Sequence, residues 1–499
     1  MKLLFVLIWV FSFCEALKLQ RRQKTLNVGN FKKPDRIAII GAGAGGSSAA
    51  YYLQRFANNS FDVTIFERSK SVGGRTATVP LKNSSKHQAE VGASIFVSAN
   101  KILSLAVENF DLETQEYGDN AKKDSVGIDN SVGIWDGARL VFRFSGSFFD
   151  KIHFLLRYKL NALKAWYYTK KIVDLFLRYY YDEYFPFENL NTIGSATRFY
   201  HNTNILGIEY WRAKGVSDLF SSQIIQGLTR ANYAQNLKSI HGLGSMVSIA
   251  ANGAKQVKGG NWKIFHKFIE SSKATLKLEQ QVTYLEKDQK NKKWIIERLD
   301  LRSGKSYRDL FDKVVIATPI EKSDIKISGE DLSHINPTDY VHLHVTLFAS
   351  NKKLDALYFG GKKGETVPLT VLTSPVNNYC AADDNNSTLP FYSISMIDYL
   401  QDSGDYIYKV FSGNKIADGF LLNILERDSK INWIFRKEWD SYPKLYPTNN
   451  FKNFSIGENI WYLNGMESFI STMETSALAG ANVAALISQG RNSSVLKIP

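Results

Sequence analysis

The apolar run Ile37 to Ile40 is short and closed by glycine, as a parallel strand buried on both faces should be. A helix is predicted from about Gly45 to Phe56 and a second strand from Asp62 to Glu67, which together read as a βαβ unit. From about Gly92 to Tyr200 the pattern is mainly helical: Leu156, Leu160, Leu163 and Tyr167 recur on one face until Lys170 and Lys171 interrupt them. This stretch is rich in Phe and Tyr, notably Phe148-Phe149 and Tyr179-Tyr180-Tyr181. Its apolar stripe is expected either to pack as the core of a helical cap or to line a pocket or entrance for an apolar ligand.

Beyond Val257, a Gly259-Gly260 turn leads into an amphipathic helix through Phe268, then into short strands near Leu276, Val282 and Trp294 to Glu297. The run Lys313 to Thr318 reads as another buried strand, stopped by Pro319. Between Tyr340 and Trp433 the chain alternates like antiparallel sheet, most clearly from His342 to Phe348. It closes with a strand from Ile460 to Leu463 and a helix from about Met473 to Gln489.

With 499 residues, 44% of them hydrophobic, the chain can bury a large core, and its length allows two or more structural units. The net charge of +14 raises the question of an acidic partner. Lys and Arg are scattered, with no basic run beyond pairs such as Lys122-Lys123, so no nucleic-acid partner is expected. The basic surface instead suits peripheral association with an anionic membrane surface, an effect that salt weakens. Lys2, the apolar run Leu3 to Phe13 and the small residues around Cys14-Glu15-Ala16 read as a signal peptide over residues 1–16, followed by a basic leader over 17–35. That run is too short to span a bilayer, so no transmembrane helix is expected. Cys380 is then the one thiol of the mature chain. Sequons at Asn58, Asn83, Asn385, Asn386, Asn453 and Asn492 point the same way, to N-glycosylation in the secretory pathway, with the lysosome as destination and secretion as the alternative.

The candidate chemistry begins at Gly41-Ala42-Gly43-Ala44-Gly45-Gly46, which holds the spacing G-x-G-x-x-G between a predicted strand and a helix. In that setting Gly41 serves the tight turn, Gly43 the approach of a pyrophosphate and Gly46 the packing of helix on strand. Glu67 lies 67 − 46 = 21 residues after the last glycine, where a carboxylate accepts hydrogen bonds from a ribose and disfavours a 2′-phosphate. Val72-Gly73-Gly74-Arg75-Thr76 and Glu90-Val91-Gly92-Ala93-Ser94 follow.

Here the chain resembles the flavin-containing amine oxidase superfamily, which carries a GGR segment shortly after the ribose-binding acid. Gly259-Gly260 with Gln281-Val282, the strand ending at Pro319, and the segments Asn464 to Glu467 and Met473 to Ala477 resemble further superfamily motifs. Within it the match is closest to the prenylcysteine oxidase family, through Ile37 to Phe56, Gly73 to Thr76, Val257 to Gly260, Tyr408 to Ser412 and Tyr462 to Ala477, in the same order and over nearly the whole mature chain. Ala93-Ser94 departs from it, where that family tends to have a further glycine.

The resemblance implies FAD as cofactor. Its binding residues would be Gly41, Gly43, Gly45, Gly46, Glu67, Arg68, Gly74, Arg75, Gly92, Val282, Gly465, Glu467, Met473 and Glu474. It also implies an α/β fold: a discontinuous Rossmann-type FAD-binding domain (36–99, 241–320 and 445–490) with an inserted α+β substrate domain (100–240 and 321–444) of mixed sheet plus helices, and a tail over 491–499. The implied reaction is oxidation of the thioether of S-farnesyl- or S-geranylgeranyl-cysteine by O2, giving cysteine, a prenyl aldehyde and hydrogen peroxide. No protein nucleophile is needed. His342 is a candidate for proton transfer; His342 and His344 share a strand face but lack a third ligand, so no metal is expected. The rival readings are an amine or polyamine oxidase on the same cofactor fold, and a catalytically silent flavin- or lipid-binding glycoprotein.

Overall fold

A computed structural model of the chain describes residues 34–57, 60–83, 87–116, 129–181, 183–250, 253–330, 337–375 and 389–489. The first strand, β1 (Asp35–Ile40), carries Ile37, Ala38 and Ile39 with no solvent exposure, because it lies inside a sheet covered on both faces. That six-stranded sheet runs in the order Ser455–Gly457, Ile460–Tyr462, Lys313–Ile316, β1, β2 (Phe61–Phe66) and Thr275–Lys277. Ile37 to Ile40 pair in parallel with Lys313 to Ile316, which pairs in parallel with Ile460–Tyr462. Strands from both ends of the chain thus meet at the centre of one sheet.

Helix α1 (Ala44–Ala57) follows β1 directly. The C-terminal helix, apolar almost all round and buried almost all round, is seated beside α1, where Ser48 Oγ donates to the carbonyl of Ala477 at 2.7 Å. The helix Trp262–Ser272 flanks α1 elsewhere, with Tyr51 stacked on Phe268 at 4.7 Å.

A four-stranded sheet of Ser306–Phe311, Lys293–Asp300, Gln280–Asp288 and Lys326–Ser328 stands beside this layer. A separate seven-stranded sheet has the order Ile431–Pro443, Tyr340–Ser350, Asp405–Ser412, Ser393–Leu400, Pro368–Thr373, Asp129–Trp135, Leu140–Phe144. It is mixed, since Pro368–Thr373 pairs in parallel with Asp129–Trp135 while the neighbouring pairs are antiparallel.

Two sequence expectations are corrected. The stretch from Gly92 to Tyr200 is not helical alone: beside the helices Lys101–Asn109, Phe148–Tyr158, Asn161–Leu177 and Leu190–Ala196 it holds the strands Thr114–Glu116, Asp129–Trp135 and Leu140–Phe144. The last two form a hairpin around Asp136, whose carboxylate accepts from the N–H groups of Ala138 and Arg139, a turn chemistry that the helical reading passed over. The stripe Leu156, Leu160, Leu163 and Tyr167 is not core, because all four side chains are exposed. The helix carrying Leu156 ends at Tyr158, Lys159 takes a φ of 51°, and a new helix starts at Asn161, so the inward face is Phe154, Tyr158, Ala165, Thr169 and Ile172 instead.

Candidate functional site

The glycine loop lies where β1 passes into α1. Gly41 has φ +108°, and a Cβ on it would stand 2.8 Å from the carbonyl oxygen of Ala317; one on Gly46 would stand 2.0 Å from the oxygen of Gly41. The chain's own packing therefore requires those two glycines. Gly43 differs, since a Cβ there meets no atom closer than 3.7 Å. Nothing in the protein demands glycine at that point, where an added methyl would rest in ordinary contact with the Gly73-Gly74 turn. The first turn of the helix Ala44–Ala57 leaves N–H groups without intrahelical partners, so the loop fits a phosphate. Gly45 faces the C-terminal helix through the oxygen of Ser476.

Glu67 directly follows β2 and is buried, accepting from the N–H groups of Ala42 and Ser69, each at 2.8 Å. Each carboxylate oxygen keeps a second lone pair, enough to receive ribose hydroxyls. Arg68 beside it points to solvent. The turn Gly73-Gly74 docks on the loop: Gly73 N–H donates to the carbonyl of Ala42, and Gly43 bridges Gly73.

Arg75, at the end of that turn, faces Glu467 of the 3-10 turn Asn464–Ser468, 392 residues away in sequence. The guanidinium and the carboxylate form a two-point ion pair, and Arg75 also donates to the carbonyl of Ser441 at 2.8 Å. Glu467 further receives Tyr340 Oη at 3.1 Å and Asn464 Nδ2 at 2.7 Å. Burial, then the Glu467 charge, hold the Tyr340 hydroxyl protonated far above its ordinary range. Gly92 packs under this turn, where a side chain would overrun the carbonyl of Arg75. Gly465 lies beside Lys452.

The C-terminal helix starts with Met473 and Glu474 behind a capping box of Thr472 and Thr475. Glu474 is fully engaged within the protein: it accepts from the N–H groups of Ile102 at 2.8 Å and Leu103 at 3.1 Å, and from Tyr180 Oη. It thus serves the N-terminus of the helix Lys101–Asn109, and burial pushes its carboxyl up to about 7. Contact between this segment and a ligand falls to its backbone rather than to that carboxylate. Glu90 is likewise buried and pushed up to about 7, with one oxygen taking the Asn261 N–H and the other unpaired. The buried Lys409 of the seven-stranded sheet reaches Ser94 Oγ at 3.0 Å, joining that sheet to the Glu90 to Ser94 segment.

Val282, on the strand Gln280–Asp288 of the four-stranded sheet, is buried with Ala38, Ile40 and Phe66 of the six-stranded sheet. His342 sits apart from this cluster of contacts on the exposed side of its strand, 3.4 Å from Asp440 and 3.8 Å from Glu438, a surface ion-pair arrangement. Among the sequons, Asn453 is exposed. Asn58, Asn385, Asn386 and Asn492, as well as the signal peptide and Cys380, lie outside the described residues, as does the side chain of Asn83. The sequence reading assigns no site role to Tyr340, Ser441, Tyr180 or Lys409, although Tyr180 lies in the Tyr179 to Tyr181 run and Lys409 in the Tyr408 to Ser412 segment of the family resemblance.

Residues 39–108 match the NAD(P)-binding Rossmann-like domain. The chain superposes on a redesigned putrescine oxidase with a TM-score of 0.59 at 13% identity, covering 91% of this chain and 98% of that one. A fatty acid isomerase from P. acnes gives 0.59 at 14% identity, covering 91% and 99%. The fold is that of the FAD-dependent amine oxidase class. Residues 144–498 match the family described as prenylcysteine lyase, and the chain belongs to that family. Farnesylcysteine lyase of Arabidopsis thaliana is 30% identical over 478 residues, 91% of this chain and 88% of that protein. Prenylcysteine oxidase 1 of Homo sapiens is 28% identical over 480 residues, with the same coverage.

Proposed function

We propose that this protein is an FAD-dependent oxidase that cleaves the thioether of S-prenyl-cysteine to cysteine, a prenyl aldehyde and hydrogen peroxide. Membership of the prenylcysteine lyase family carries the reading, and the glycine loop at a helix N-terminus, held against the Glu67 carboxylate, supports the cofactor. The overall reaction balances as thioether plus O2 plus water going to thiol, aldehyde and peroxide. FAD, when bound, supplies the two-electron oxidation at the prenyl carbon next to sulfur. The chain's own part is to seat the dinucleotide: the loop Gly41 to Gly46 for the phosphates, Glu67 for a ribose, and the turns Gly73 to Arg75 and Asn464 to Glu467 as a rigid wall. Arg75 acts there as a positioning residue, since its guanidinium is already paired with Glu467. The prenyl chain is recognised by burial, worth about 0.8 kcal/mol per CH₂.

We propose further that the protein passes through the secretory pathway to the lysosome, is glycosylated at positions including the exposed Asn453, and meets its substrate at anionic membranes. Purified protein should show flavin absorbance and release peroxide in an oxygen-dependent way with farnesylcysteine but not with spermine or benzylamine. Peroxide from the amines alone would move the reading to an amine oxidase, and colourless, flavin-free protein would overturn it.

A further inference from the structure

Half of the large hydrophobic side chains exposed among the described residues, nine of eighteen, fall within the twenty positions 148–167, each exposed by 39 to 73%. Scattered exposed apolar residues are ordinary, but a concentration of this kind marks a contact surface. They sit on two consecutive helices, Phe148–Tyr158 and Asn161–Leu177. At about 100° per residue, Phe148, Phe149, Ile152, Leu155 and Leu156 occupy one arc of roughly 120° on the first helix, and Leu163, Trp166 and Tyr167 continue the surface on the second.

The helices themselves are well anchored. Tyr158 is buried, its hydroxyl donates to Gln223 at 2.9 Å, and its ring packs edge-on to Phe142 and Phe220 at 5.3 and 5.4 Å. Ala165, Thr169 and Ile172 bury the inner face of the second helix. The apolar arc is therefore held outward by a fixed scaffold.

Charge selects the occupant. Residues 148–177 contain Lys151, Arg157, Lys159, Lys164, Lys170 and Lys171 against two carboxylates, Asp150, which is occupied by the N–H and hydroxyl of Ser145, and Asp174, which pairs with Lys170 at 2.7 Å. Lys151, Lys159 and Lys171 have no ion-pair partner among the described residues. A second copy would bring this same positive rim against itself. An apolar arc rimmed by cations, with Trp and Tyr at its margin, is complementary to an anionic lipid surface. No helix among the described residues is long and apolar enough to cross a membrane.

We propose that helices Phe148–Tyr158 and Asn161–Leu177 form a monotopic docking face that inserts Phe148, Phe149 and Leu156 into the headgroup region of an anionic bilayer, with the lysines on its phosphates. The inference deepens the membrane encounter proposed above and rests on it for its biological sense. It gives a prenylated substrate, whose chain partitions into lipid, a short route to the protein.

The test is flotation of the purified full-length protein with vesicles of phosphatidylcholine, with and without 30% phosphatidylserine. Binding to the anionic vesicles should be strong and should fall roughly tenfold between 50 and 500 mM salt. Phe148→Ser with Phe149→Ser, and separately Lys151→Glu with Lys159→Glu, should each lower it at least about tenfold. Thermal midpoints and peroxide release from soluble farnesylcysteine should stay at wild-type values, because these side chains face solvent. Wild-type protein that ignores both vesicles, or variants that float as well as wild type, would overturn the proposal. A concentration-dependent dimer abolished by the Phe pair, without vesicle binding, would overturn it in favour of a second copy. Loss of flotation in the variants of a protein that yields no peroxide would uphold this face while sinking the oxidase reading.

Discussion

Three glycines of one fingerprint do different work, and single substitutions separate them. Gly46→Ala would force a Cβ to 2.0 Å from the oxygen of Gly41 and should destabilise the fold by several kcal/mol, read as a lowered thermal midpoint. Gly43→Ala meets nothing closer than 3.7 Å, so it should keep the wild-type midpoint in flavin-stripped protein but lose at least about tenfold in FAD affinity, measured by fluorescence titration. Equal FAD affinity would mean the phosphates lie elsewhere. Titration is also decided residue by residue. Burial pushes Glu474 and Glu90 up to about 7. A carboxyl whose folded pKa exceeds its unfolded value binds more protons when folded, so its contribution is best at low pH and is lost as pH rises towards about 7. Burial pushes His241 down to about 4, with the opposite sign: it costs stability as pH falls from about 6.5 to 4. Glu474→Gln should therefore narrow the difference in thermal midpoint between pH 5.5 and pH 8, removing up to about 2 kcal/mol of pH dependence. An unchanged profile would contradict the assignment.

At the level of elements, the Arg75–Glu467 pair ties the glycine turn to the 3-10 turn, with Tyr340 and Ser441 supplied by two strands of the seven-stranded sheet. Its two halves are unequally exposed, 30% for Arg75 and 2% for Glu467. Arg75→Met leaves a buried carboxylate without its cation and should cost about 3 kcal/mol or more, whereas Glu467→Gln leaves a guanidinium that water can still reach and should cost nearer 1 kcal/mol. Urea denaturation of the two variants checks the order, and a reversed order would refute it. The paired helices 148–177 teach a second lesson at this scale. The stripe of Leu156, Leu160, Leu163 and Tyr167 was legible as periodicity, yet apolar spacing is the same whether a face meets a core or a bilayer. The sharp turn at Lys159, which splits the pattern, has no sequence marker such as glycine.

For the molecule as a whole, the site is assembled from segments at both ends of the chain, with Lys313–Ile316 lying between β1 and Ile460–Tyr462. A dinucleotide held by Gly41 to Gly46, Glu67 and the C-terminal segment can bind only the folded state. Adding FAD to flavin-stripped protein should then raise the thermal midpoint, by the equivalent of about 2.7 kcal/mol at a hundredfold excess over Kd. The absence of any shift would show that these segments do not meet on the cofactor.

The glycine loop, the acid at the end of β2, the parallel strands and the C-terminal helix were determined by the sequence alone, because each is a local matter of backbone geometry or periodic burial. The resemblance carried by those motifs identified the family. Tertiary structure alone decided that Arg75 spends its charge on Glu467, that Glu474 caps a distant helix rather than facing outward, and that the aromatic-rich helices turn their apolar side to solvent. Each of these depends on which surfaces meet across hundreds of residues, and chain-local propensity carries no information about that.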